Sequence, residues 1–268
     1  MILVAHLLAI ALYVGAAVLA ALPFARPLSA PVRAVVTALA LGVLAHVTGL
    51  VAVARAAGQV PLTGLGPALS FAGLVLAATL LAAEIVAREV SLTLAAAPLA
   101  ALATSAAALI GLHTVLEPQG LRGVWLVAHI ALSFVGIAAF ATAAAAGTMY
   151  LIERRELKSR RFGAIFRFFP PLETLDRVNH VAAVGGWLGL TLGIVLAASY
   201  SVAYRALDVP QIVWGTGAWL AVSALALGRL VGGWQARRAA WVSSLSFVLV
   251  LALYVAFRVA GPGGGQFL

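Results

Sequence analysis

Residues 123–152 read GVWLVAHIALSFVGIAAFATAAAAGTMYLI, thirty positions without an Asp, Glu, Lys or Arg. About 20 consecutive apolar residues are enough to cross the hydrocarbon core of a bilayer, so this stretch reads as a membrane-spanning helix. Similar stretches lie at about 2–24, 33–55, 65–87 and 91–113 before it, and at about 179–204, 211–232 and 240–260 after it. The expected fold is therefore all-α: a polytopic membrane protein built as a bundle of eight transmembrane helices. The bundle covers 1–262 as a single domain, and the glycine-rich 263–268 reads as a disordered tail.

The intervals between these stretches carry the residues that end helices. Pro23, Pro27 and Pro31 separate the first two, Gly58 to Pro67 the next two, and Arg88-Glu89 marks a tight turn. Glu117-Pro118-Gln119-Gly120 leads into 123–152, Pro210 opens the seventh stretch and Arg237-Arg238 precede the eighth. The first stretch lacks the positive leading segment of a signal peptide and runs on into another apolar stretch, so it is taken as a span.

The composition agrees. Of 268 residues, 64% are apolar and 9% charged, with a mean hydropathy of +1.11, against about a quarter charged in an ordinary soluble domain. The connecting segments are too short for a soluble catalytic domain, and the GxxxxGK[ST], HExxH and GxSxG patterns are absent. With no Cys there is no thiol nucleophile, disulfide framework, iron–sulfur ligand set or CxxCH haem attachment. The net charge of +9 reads as membrane topology and contact with anionic lipid, with no nucleic-acid partner.

The basic residues fall on alternate sides. Thirteen of the 17 Lys and Arg lie in the first, third, fifth and seventh connections. Arg55, Arg122, Arg205 and Arg258 lie on the other side. By the positive-inside rule both termini are outside. The one sizeable connection, about 153–178, is then cytoplasmic. It carries Arg161-Phe162, Phe166-Arg167 and Phe168-Phe169, a pattern that suits a segment lying among lipid headgroups. The alternative is a docking segment for a cytosolic partner.

Away from helix ends the spans hold no carboxylate, which counts against an ion-coupled small-molecule transporter. Histidine is the informative residue type. In this topology His6, His46, His113 and His129 fall in the outer half of four different helices, while His180 lies at the cytoplasmic end of the sixth. Gly42, His46 and Gly49 share one helix face, as do Trp125, His129, Ser133 and Gly136. An imidazole beside Gly or Ser leaves room for a flat ligand, and Gly185, Gly189 and Gly193 permit close approach of a helix or a planar group. Facing imidazoles commonly hold haem iron in helical bundles. The plainer alternatives are a His that bridges to a Ser, Thr or carbonyl, and glycines that serve helix packing alone. Zinc or copper would favour added carboxylate, Cys or Met ligands, so haem is preferred.

The segment Trp125-Leu-Val-Ala-His129-Ile-Ala-Leu-Ser-Phe134 resembles the WLxxHxxLSY signature of the cytochrome c assembly family, which includes CcsA- and HemX-like proteins. Leu112-His113-Thr114, Tyr150-Leu-Ile-Glu-Arg154, Pro170-Pro171-Leu-Glu-Thr-Leu-Asp176 and Gly233-Trp234-Gln-Ala-Arg237-Arg238 are similar to that family in order and character. The eight-helix plan resembles its short HemX- or YpjD-type members. The resemblance implies that His129 is an axial haem ligand on the outer side, in a multi-pass protein of the bacterial inner membrane. Synthases of the family carry a WGxxWxWD loop; here the equivalent region, Ser199 to Pro210, lacks its tryptophans. A His expected in the following span is also missing, and Arg229 is the nearby polar residue.

Together these readings give a haem-binding, non-enzymatic protein that serves haem transfer, cytochrome c maturation or haem-dependent regulation. Haem b is expected between helices with bis-His ligation: His129 first, His46 second, and His113 and His6 as alternates. Arg122 and Arg205 are placed to meet the propionates. Partners would be membrane lipid, haem and another cytochrome-maturation, haem-synthesis or membrane protein. The alternatives are a cofactor-free accessory subunit acting through the cytoplasmic loop, or a transporter.

Overall fold

The computed structural model describes residues 1–25, 31–62, 64–87, 92–113, 120–159, 169–204 and 209–260. These residues form eight α-helices in chain order: α1 (Ile2–Ala25), α2 (Val32–Ala57), α3 (Leu65–Ala87), α4 (Thr93–Ile110), α5 (Leu121–Ser159), α6 (Leu172–Tyr204), α7 (Val209–Leu230) and α8 (Ala236–Ala260). No strand occurs among the described residues. Seven of the helices are long and apolar enough to cross a membrane, and the chain is a multi-pass membrane protein. The exception is α4. Its 18 residues rise about 27 Å at 1.5 Å each, short of the roughly 20 residues a perpendicular span needs. The fourth expected span, 91–113, is thus a shorter apolar helix.

Several helices outrun the hydropathy. Helix α5 continues to Ser159 and α6 begins at Leu172, so most of the connection expected over 153–178 is helical. Charge ends an apolar run, but Glu, Arg, Lys and Leu are good helix formers, and a helix need not stop where the membrane does. The Arg161 to Phe168 pattern, the Arg88-Glu89 turn, Arg205 and the tail lie outside the described residues.

The chain divides into two compact units. One comprises Met1–Pro118 with Arg161–Pro170, the other Gln119–Arg160 with Pro171–Leu268. In the first, α1 and α3 each pack against both α2 and α4. In the second, α5 and α7 each pack against both α6 and α8.

Polar side chains tie each unit at specific points. In the first, Glu84 near the end of α3 is buried. Its Oε1 accepts from the Thr93 backbone N–H at 2.8 Å and from the Thr93 hydroxyl, meeting an amide donor that the start of α4 would otherwise leave open. In the second, Asn179 of α6 donates to the Ala143 carbonyl at 2.7 Å and to Ser243 Oγ at 2.9 Å, joining α5, α6 and α8. At the same end of α6, Arg229 in the last turn of α7 pairs with Asp176 at 2.7 Å and donates to His180 Nδ1 at 3.3 Å. His180 is therefore an internal partner of Arg229.

Candidate functional site

In the first unit, the positions seven apart on α1 put His6 and Tyr13 on one face. Both are fully buried, as are His46 of α2 and Ser70 of α3. Tyr13 Oη lies 3.2 Å from His46 Nδ1, His46 Nε2 lies 2.9 Å from Ser70 Oγ, and His6 Nε2 lies 3.0 Å from the same Oγ. His6 Nδ1 lies 2.9 Å from the Ile2 carbonyl.

Counting protons orders this chain. A carbonyl can only accept, so His6 carries its proton on Nδ1 and accepts at Nε2. Ser70 has one proton and gives it to His6. His46 then donates from Nε2 to Ser70 Oγ, and its Nδ1 accepts from Tyr13. With both imidazoles neutral, every ring nitrogen has a partner. This closure is what a buried polar group in an apolar surround requires.

The hollows expected beside His46 are also filled. A Cβ on Gly42 would lie 2.7 Å from Tyr13 Cε1, and one on Gly49 would lie 2.7 Å from His6 Nδ1 and Cε1. The flat groups that these glycines admit are the rings of α1 itself. His6 and His46 thus offer no free nitrogen and no space for a porphyrin. As packed, they do not fit axial ligation. The packing gives no support to His46 as the second-choice axial ligand or to His6 as an alternate. His113, also in the first unit, is exposed just after α4, with its ring near Gly111.

The second unit arranges its histidine differently. On α5, Trp125 and His129 are one turn apart. Trp125 Nε1 donates to the Leu196 carbonyl at 3.1 Å and His129 Nδ1 donates to the Gly193 carbonyl at 2.8 Å. With the proton fixed on Nδ1, the Nε2 of His129 carries the lone pair. The imidazole is half-buried, so that lone pair is not sealed in a core as in the first unit. Donation of the remote ring N–H to a carbonyl is the usual way in which a metal-binding histidine is oriented.

Glycines allow α5 and α6 to approach this closely. A Cβ on Gly189 would lie 3.0 Å from Gly136 Cα, one on Gly186 would lie 3.1 Å from the Gly136 carbonyl, and one on Gly193 would lie 2.7 Å from Ser133 Oγ. The ladder is therefore Gly186, Gly189 and Gly193, and it packs a helix. Gly185, expected within it, faces open space.

On the first turns of α5, next in sequence to His129 but not lined by it, is a groove of about 430 Å³ walled by Leu121, Val124, Trp125, Ala128, Leu196 and Tyr204, within the usual size range of small-molecule sites. Its walls are aromatic and aliphatic. Arg122 stands at the same end of α5: its Nε donates to Tyr200 Oη at 2.8 Å, and its guanidinium lies 4.8 Å from the centre of the Tyr204 ring. Tyr200 and Tyr204 pack edge-on to Trp125. An apolar groove with a cation packed on its wall residue Tyr204, and an oriented imidazole at the position following Ala128, suits an amphipathic planar molecule bearing carboxylates. Among the described residues, no group of three or more His, Cys, Asp or Glu could hold a metal ion without such a ligand.

His129, Trp125, Ser133 and Arg122 stand out in the sequence itself. Tyr13 does not, although its spacing from His6 is a usable signal, and Ser70 carries no signal at all. Tyr200 and Tyr204, four residues apart on one helix face, emerge only from the structure.

Comparison with known proteins gives the following. The Cytochrome C assembly protein family matches residues 2–263. The cytochrome c biogenesis protein CcsA of Synechococcus sp. (strain WH7803) is 28% identical over 177 residues, which cover 53% of this chain and 55% of that protein. CcsA of Guillardia theta is 25% identical over 162 residues, covering 53% and 54% respectively. The chain spans about half the length of the curated relatives it matches. No solved structure matches.

Proposed function

Because the chain belongs to the cytochrome c assembly protein family, we propose that it binds haem in its second unit and passes it on, or reports its presence, in the service of cytochrome c biogenesis. The observation that carries this reading is His129: its Nδ1 is committed to the Gly193 carbonyl at 2.8 Å, so its Nε2 would be the base that holds the iron. The groove lined by Trp125 and Tyr204 would take the porphyrin face, and Arg122 its propionates through charge-assisted contacts. Bound haem would supply an iron that accepts a nitrogen ligand. The chain's own residues supply the base, its orientation and an apolar surface. Ligation rests on His129 within the second unit.

No thioether chemistry is assigned to the chain. The region Ser199 to Pro210 lacks the tryptophans of the synthase loop, and the aromatic residues nearby, Tyr200 and Tyr204, are engaged with Arg122. We read the topology as eight crossings with both termini outside, α4 being a short or locally thinned span. Within the second unit, Trp125, Tyr200, Tyr204 and the Trp214–Tyr254 pair cluster towards the helix ends opposite to Arg154, Arg155, Arg229 and Arg237. That asymmetry suits a basic cytoplasmic end and an aromatic outer belt.

Absorption spectroscopy tests the haem reading. Protein purified from haem-replete cells, or titrated with haemin, is expected to show a Soret band that shifts on reduction and is lost in His129→Ala. A colourless preparation that also leaves added haemin unbound would contradict it.

A further inference from the structure

We propose that Gly193 is the positioning residue for His129: its carbonyl sets the imidazole tautomer, and its bare Cα lets α5 come close enough to be set. The inference rests on the haem-binding reading for its consequence, but not for its geometry.

Two donors one turn apart on α5 meet two carbonyls one turn apart on α6, Trp125 to Leu196 at 3.1 Å and His129 to Gly193 at 2.8 Å. Helix carbonyls ordinarily accept only from the amide four residues on. Reaching them from a neighbouring helix requires the two backbones to be near contact. The distances show that approach. A side chain on Gly193 would meet Ser133 Oγ at 2.7 Å, with the Ser133 backbone N and Cα at 3.4 and 3.5 Å. Ser133 lies one turn from His129 on the same face, and its Oγ stands 3.5 Å from His129 Nδ1. A β-branched residue at 193 would therefore push away the turn of α5 that carries His129.

The carbonyl does what a side-chain partner could not do as strictly. A Ser or Thr hydroxyl can either donate to Nδ1 or accept from it, and would leave both tautomers open. A carbonyl accepts only, so the proton must sit on Nδ1 and the lone pair on Nε2. The hydrogen bond also makes the imidazole a stronger base towards a metal. Substituting such a partner typically costs about tenfold to a hundredfold in metal affinity.

The test begins with the protein free of haem and labelled with ¹⁵N-histidine. The His129 resonances, identified by their loss in His129→Ala, are expected to show a protonated Nδ1 and a bare Nε2. A bare Nδ1 with a protonated Nε2 would overturn the proposal. Gly193→Val is expected to lose that tautomer preference and to bind haemin about tenfold to a hundredfold more weakly. Gly193→Ala combined with Ser133→Ala, which removes the clashing Oγ and keeps the carbonyl, is expected to stay close to wild type in both readouts. If Gly193→Val leaves tautomer and haemin affinity unchanged, the positioning role falls. If Gly193→Val fails to fold, the wild-type tautomer and the double variant still decide. Failure of the wild type to bind haemin would remove the proposed function while leaving the tautomer result standing, so the two failures are distinguishable.

Discussion

The two units use the same ingredients to opposite ends. Among the described residues each holds four helices, of which the first and third pack against the second and fourth. In each, a histidine early on the first helix meets a glycine of the second, His6 at Gly49 and His129 at the Gly193 carbonyl. In the first unit the glycines admit rings: Tyr13 fills the hollow at Gly42 and His6 that at Gly49. Both histidines are then saturated by one another's neighbours and buried completely. In the second unit the glycines admit backbone, Gly136 against Gly186 and Gly189. Bare backbone offers His129 a carbonyl, which satisfies one nitrogen and leaves the other available. A histidine beside a glycine in a membrane helix is therefore not in itself a ligand. What stands across the glycine decides, because a second ring closes the hydrogen-bond count and a carbonyl leaves it open.

This contrast can be broken or sharpened by substitution. The largest effect expected in the first unit is from Ser70→Ala. It strips the shared partner from two buried nitrogens at once, and interhelical hydrogen bonds within membranes are worth about 0.6 kcal/mol on average and up to about 1.7 each. Thermal unfolding followed by circular dichroism should show a clear loss of stability, with haemin binding by the second unit retained. Equal stability would mean that the chain of bonds through Ser70 is not closed as described. A smaller effect is expected at Arg122, which is solvent-facing. Arg122→Ala should weaken haemin binding about twofold to fivefold, the range of an exposed charge pair, with the Soret position unchanged because the iron's base is untouched. A moved Soret band would put Arg122 in a different role. The smallest is Tyr13→Phe, which removes the donor at the end of the first unit's chain. Interhelical hydrogen bonds within membranes average about 0.6 kcal/mol, so the variant should fold, bind haemin normally and lose only a little stability.

Much of the fold was legible. Apolar runs located the eight helices of the described residues, since a bilayer enforces hydropathy more strictly than water enforces any pattern. Their ends were less legible, because Glu153 to Ser159 and Leu172 to Arg177 continue as helix where the apolar signal has stopped. The division into two units was not readable, since packing partners leave no mark on composition. Of the candidate site, His129 with Trp125 and Ser133 was visible from spacing and from the family signature. His46 looked equivalent on the same grounds. The difference between them lies in Tyr13, Ser70 and the carbonyl of Gly193, contacts made from other helices, which no spacing within one helix reports. The glycine ladder was one residue out, at Gly185 rather than Gly186, because a residue and its neighbour differ by about 100° around a helix and only contact shows which faces the partner.

The most direct test of the account is a haemin titration of two purified variants side by side, His129→Ala and His46→Ala, each first checked for folding. The two-unit reading predicts that His129→Ala loses the Soret band of the ligated iron while His46→Ala, though less stable, titrates like the wild type. The reverse result, binding lost with His46 and kept without His129, would contradict it.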